Sequence, residues 1–152
     1  MEPIIQTMNN HIELRFPSIA ENEALARMAV SALLIPLNPS MSFVSEVRTA
    51  VSEAVTNAVV HSYGGRSDGL IVLRASLNDE NLRIDIEDFG CGIADIQQAM
   101  QPFFTTQPEK ERTGMGFSLM QSFMDGVNVV SSVGNGTLIT MNKYVGQLHE
   151  IL

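Results

Sequence analysis

Residues 51–63 read VSEAVTNAVVHSY. Val51, Val55 and Val59 recur every four residues, and Val44 and Val47 extend the series upstream. Apolar residues at this spacing form one face of a helix, so the stretch predicts a helix from a cap at Ser42 to about Ser62. Along the edge of that face lie Glu53, Asn57 and His61, again four apart. Successive members step about 40° around a helix axis and share one stripe. A carboxylate beside a carboxamide oxygen suits a hard cation such as magnesium, which takes oxygen ligands and keeps waters for a phosphate to replace. The solvated side of any amphipathic helix has the same appearance.

Upstream of this helix, HIELRF (residues 11–16) alternates with Ile12, Leu14 and Phe16 on one side, as a strand does. SIAE (18–21) is a capping-box pattern. It predicts a helix to about Leu34, with Leu25, Met28, Ala29, Ala32 and Leu33 buried and Pro36 and Pro39 beyond its end. Downstream, YGGRSDG is a loop, and LIVLRASL (70–77) and LRIDIE (82–87) flank NDEN as a hairpin. A short helix is expected at 95–100, a long loop at 101–115 and a helix at 117–125. Two last strands, 127–133 and 137–145, join through Gly134-Asn135-Gly136. Two early helices, a mostly antiparallel sheet and a late helix make an α+β, two-layer sandwich. No repeat or linker divides it, so residues 1–152 are expected to form a single domain with its core at about 11–145.

Composition sets outer limits. A chain of 152 residues, 45% hydrophobic and 17% charged, is globular rather than disordered. Nine basic against 17 acidic residues give a net charge of −8, a field that repels nucleic-acid phosphates and favours a protein partner. Cys91 is the single cysteine, so no internal disulfide can form, and a reducing, cytoplasmic setting is expected. MEPIIQTMNN has no signal-peptide pattern. No apolar run approaches the roughly 18 residues of a membrane span.

Three further motifs have chemical readings. DFGCG (88–92) follows a strand; its acid can accept a hydrogen bond from an amino group such as that of adenine, and it can equally be an ordinary turn. It lacks the companions of the protein-kinase DFG motif. RTGMGFS (112–118) places glycines before a helix, where free N–H groups attract anions and Arg112 can add a charge-assisted contact. A flexible loop at a helix start looks the same, and the lysine of a P-loop is missing. GNGT (134–137) is explained by a hairpin turn alone.

The ordered combination is more specific. A polar helix stripe, DxGxG, PFFTT, GxG before a helix and GxGT, spread over about residues 11–145, resembles the ATP-binding (Bergerat) domain of the gyrase, Hsp90, histidine kinase and MutL superfamily. The resemblance implies ATP and Mg2+ as cofactors. Asn57 would hold the metal and Asp88 would read the adenine amino group, with Gly90 and Gly92 lining the pocket. Thr105, Thr106, Gly114, Met115, Gly116 and Phe117 would belong to the lid and phosphate region, and Thr137 would support the adenine site. Ser118 stands where the superfamily usually has a third glycine.

About ten residues precede the first strand, too few for a dimerisation helix pair with a phospho-accepting histidine, so a free-standing domain is expected. VSEAVTNAVVHSY and PFFTTQPEKERTGMGFSLMQSFMD are similar to the anti-sigma factor serine kinases, the sporulation branch more than the general-stress branch. This resemblance implies a homodimer that inhibits a sigma factor and phosphorylates a serine of an anti-anti-sigma protein. Glu53 would be the catalytic carboxylate, Arg112 would touch the γ-phosphate, and Arg27 and Thr56 would contact partners. The alternatives are a nucleotide-gated binding module without phosphotransfer and an orphan histidine-kinase ATPase domain.

Overall fold

Alternating apolar and polar residues produce a five-stranded sheet in the computed structural model, which describes residues 9–101 and 116–146. The strands are β1 (Asn10–Pro17), β2 (Leu70–Asn78), β3 (Asn81–Asp88), β4 (Gly126–Ser131) and β5 (Thr137–Tyr144), in the order β1-β2-β3-β5-β4. The sheet, expected to be mostly antiparallel, is antiparallel at every described pairing. Leu73, Leu77, Leu82, Ile84, Ile86, Ile139 and Met141 turn to one face and are almost wholly buried. The other face carries exposed ion pairs, Arg74–Glu87 and Arg83–Asp85 among them. Such pairs contribute little stability.

Helices α1 (Asn22–Leu34), α2 (Met41–Thr56) and α4 (Gly116–Phe123) supply the second layer, and α3 (Ile96–Ala99) is a single turn. Val47, Val51, Val55 and Val59 on α2 and its extension are buried as the spacing requires, whereas Val44 is only half-buried. The α2 cap is Ser40 and not Ser42: Ser40 keeps an extended backbone, and its hydroxyl accepts the Phe43 N–H at 3.2 Å.

The expected stripe of α1 is displaced. Leu25 and Met28 are 49% and 64% exposed, while Ala26, Val30, Leu33 and Leu34 are buried. NEALARMAVSALL is apolar around most of its circumference, so periodicity alone permits more than one inward face. The link to the sheet decides. Ser18 does not cap α1, whose first turn has no side-chain cap. Its buried hydroxyl instead donates to the Arg66 carbonyl and accepts the Gly69 N–H, fixing the end of β1 to the loop before β2.

Lys143 joins the two layers at the far end of β5. Its ammonium donates to Glu46 Oε2 at 3.0 Å and to the Phe123 carbonyl, and lies 5.2 Å from the centre of the Phe43 ring. Among the described residues, no helix is long and apolar enough to cross a membrane.

Two leucines of α1 test the displaced stripe. Leu34→Ala should destabilise the fold by about 2–5 kcal/mol through lost burial and a cavity. Leu25→Ala should change stability by about 0.5 kcal/mol or less, as exposed positions do. Urea unfolding of both variants measures the difference, and equal losses would contradict the assignment of the inward face.

Candidate functional site

The helix predicted to run to Ser62 changes character partway. It is α-helical to Thr56 and continues as a π-turn over Asn57–Ser62, closed by the Tyr63 N–H on the Ala58 carbonyl at 3.0 Å. π-turns store an extra residue in a helix and concentrate at functional sites. Here the turn brings Ser62 to the end of β3, where Asp88 lies.

Asp88 is 3% exposed and tightly held. Its Oδ1 accepts the N–H groups of Gly90 (3.1 Å) and Thr137 (3.2 Å), and its Oδ2 accepts the Ser62 hydroxyl at 2.8 Å. Thr137 is directly opposite Asp88 in the β3–β5 register, which explains how a hairpin motif so distant in sequence reaches this acid. The Thr137 and Ser131 hydroxyls are 2.8 Å apart, and Ser131 Oγ also accepts the Ile93 N–H at 2.7 Å.

The glycines of DFGCG permit close backbone approach. A methyl group on Gly90 would lie 2.3 Å from the Ser62 carbonyl oxygen, and one on Gly92, at φ 76°, would lie 2.1 Å from that of Ser132. Cys91, between them, donates its N–H to the Ser62 carbonyl at 2.9 Å. Tyr63 fastens the same turn from behind: its hydroxyl donates to the Leu70 carbonyl and accepts the Phe89 N–H at 2.7 Å. Burial pushes the Tyr63 phenol above its usual range, so it stays protonated and keeps its donor.

One helical turn before the π-turn, Glu53 is half-buried on α2, and Asn57 opens the π-turn. Asn57 is 8% exposed, and its Nδ2 has no hydrogen-bond partner among the described residues. A buried amide left unsatisfied costs about 1–3 kcal/mol, so this group is suited to a ligand. Among the described residues no cluster of three His, Cys, Asp or Glu side chains could hold a metal alone. A magnesium ion would therefore need waters and phosphate oxygens alongside Asn57, a ligand set that magnesium prefers.

Arg27 and Thr56 meet at a common neighbour that sequence reasoning missed. The Thr56 hydroxyl donates to Glu23 Oε2 at 3.2 Å, and Arg27 Nη1 lies 4.0 Å from Glu23 Oε1. Glu23 and Arg27 border a groove of about 550 Å³ between α1 and α2, to which Arg48 and Ser52 also contribute. Phe117 is buried in the hydrophobic core, and Gly116 is the first residue of α4. Thr105, Thr106, Arg112, Gly114 and Met115 lie outside the described residues. Ser131 and Glu23 carry no sequence signal, and Ser62 and Tyr63 end VSEAVTNAVVHSY without standing out in it, because each acquires its place through a contact between elements.

This architecture is that of an ATPase domain. The family model for the histidine kinase-like ATPase domain matches residues 16–143, and the chain belongs to that family. An anti-sigma F factor of Caldanaerobacter subterraneus subsp. tengcongensis is 47% identical over 139 residues, covering 91% of this chain and 96% of that protein. An anti-sigma F factor of Bacillus cereus is 43% identical over 144 residues, covering 95% and 99%. Within the ATPase family, the chain belongs with the anti-sigma F factors. The fold also matches part of a structure of the RsbU and RsbW domains of a Mycobacterium tuberculosis protein, with a TM-score of 0.64 at 18% identity over 90% of this chain and 32% of the other. A histidine kinase domain of an Erythrobacter litoralis blue-light activated kinase superposes with a TM-score of 0.52 at 26% identity, over 72% of this chain and 48% of that one.

The electrostatics of Asp88 give a test. Burial pushes its carboxyl above the ordinary carboxylate range, against the Gly90, Ser62 and Thr137 donors that favour the ionised form. A carboxyl raised in this way adds stability only while protonated, and the contribution is lost as pH rises through the folded-state value. At neutral pH the buried charge therefore opposes folding. Asp88→Asn keeps the shape, and its amide can satisfy all three partners. The thermal midpoint at pH 7 should be unchanged or higher, with any advantage shrinking toward about pH 4; a large loss at pH 7 would contradict this balance.

Proposed function

We propose that this chain, as one ATP-binding domain, is an anti-sigma factor of the sporulation type and an ATP-dependent protein-serine kinase. It would hold a sigma factor inactive as a homodimer in the cytoplasm and phosphorylate a serine of an anti-anti-sigma protein. The observation that carries the proposal is the buried Asp88 carboxylate, fixed by three donors at the end of the helix that bears Glu53 and Asn57. Its relatives' shared name, anti-sigma F factor, supports the inhibitory role.

In this reading Asp88 accepts a hydrogen bond from the adenine amino group. The Asn57 carboxamide would hold Mg2+ through its oxygen, leaving its buried nitrogen for a phosphate oxygen. Bound magnesium supplies neutralisation of phosphate charge. Glu53 takes the proton of the substrate serine while that oxygen forms its bond to the γ-phosphorus and the bond to the ADP oxygen breaks. Phosphoserine and ADP are the products. Arg112 would stabilise the γ-phosphoryl charge and distinguish ATP from ADP. Arg27 and Thr56, tied through Glu23, would present a docking edge to both protein partners. Competition for that edge would let nucleotide state choose between them.

A transfer assay with labelled ATP and candidate anti-anti-sigma proteins tests the activity. Glu53→Gln should keep ATP affinity within about threefold and lower transfer at least 100-fold, as expected for loss of a general base. Undiminished transfer would remove Glu53 from the mechanism. The product should survive acid; an acid-labile product would indicate a phosphohistidine. Nucleotide binding with no transfer to any candidate would favour a nucleotide-gated module.

A further inference from the structure

Ser62 closes the π-turn with its side chain buried between the helix layer and the end of β3. Its hydroxyl donates to Asp88 Oδ2 at 2.8 Å, while its carbonyl accepts the Cys91 N–H at 2.9 Å. One residue thus grips both the acid and the turn that follows it.

The acceptor count at Asp88 gives this contact a chemical consequence. An ionised carboxylate has about four lone-pair sites and no proton to donate. Among the described residues, Gly90 and Thr137 fill two sites on Oδ1, and Ser62 fills one on Oδ2. One site remains, on the oxygen that Ser62 holds. A 6-aminopurine can donate to it. A 6-oxopurine presents another acceptor there, unless the carboxyl carries a proton. The Ser62 hydroxyl, by donating, favours the charged form, which only accepts.

We propose that Ser62 is a positioning residue that sets purine specificity: its hydroxyl holds Asp88 as an oriented, acceptor-only carboxylate that takes a 6-aminopurine nucleotide and rejects a 6-oxopurine one. The inference rests on the reading of Asp88 as the base acceptor in the proposed function. Ser62 ends the VSEAVTNAVVHSY stretch but lies outside its Glu53–Asn57–His61 stripe. It reaches Asp88 only because the helix widens over its last six residues.

The test compares ADP and IDP binding by calorimetry in the full chain. In Ser62→Ala, ADP affinity should fall about tenfold, the lower end of the loss for a hydrogen bond to a charged group. IDP affinity should fall less than about twofold, because its 6-oxo group has no proton to donate to Asp88. A general loosening of the pocket would weaken both nucleotides together, so the ADP-to-IDP ratio isolates the specific role. Ser62→Cys keeps the side-chain shape with a weaker donor; its ratio should lie between those of wild type and Ser62→Ala, and it serves if the alanine variant does not fold. Asp88→Asn separates the two layers of the argument. If it leaves ADP affinity and the ratio unchanged, the assignment of the base pocket fails. If it abolishes the preference for ADP while both Ser62 variants keep the wild-type ratio, the pocket stands and the role of Ser62 is overturned.

Discussion

A carboxylate buried at the seam between the helices and the sheet organises this molecule. Asp88 ends β3, and its three donors come from its own turn, from β5 and from the π-turn that extends α2. The charge can remain buried only while those three elements stay in register, since each lost donor would expose it to the full penalty of desolvation. Stability is given up locally at a buried, perturbed carboxyl of the kind that clusters at functional sites.

Much of the surrounding construction keeps that arrangement fixed. Tyr63 braces the turn after β3 against the start of β2 through a single hydroxyl. Ser131 ties β4, β5 and the segment after DFGCG through another. At the opposite end of β5, Lys143 binds α2 and α4 to the sheet. The sheet therefore carries the site at one end of β5 and the ties to α2 and α4 at the other.

The parts of the fold legible from sequence were those with a local cause. Alternation and turn residues together placed every described strand to within two residues, and the valine spacing found α2 and its inward face. Capping was less legible, because serine makes the same local pattern whether or not it caps a helix. Ser18 satisfies that pattern but spends its hydrogen bonds on residues about 50 positions away. The inward face of α1 was ambiguous for a related reason: a helix apolar nearly all round is oriented by its connections and not by its periodicity. Of the candidate site, Asn57, Asp88, Gly90, Gly92 and Thr137 all stand in motifs, and the structure places them about the β3–β5 end of the sheet and the helix facing it.

The sequence by itself determined the element order, the antiparallel hairpins, the valine face of α2 and the motif series that marks a histidine kinase-like ATPase domain. Each depends on residues close enough along the chain for spacing to encode geometry. Only the tertiary structure decided which side of α1 is buried, that α2 ends in a π-turn, and that Ser62 and Thr137 converge on one carboxylate. That convergence joins residues 26 and 49 positions apart, through the Ser62 hydroxyl and the Thr137 backbone N–H. Over such distances no periodicity connects the residues, and the packing of helix against sheet alone brings them into hydrogen-bond contact.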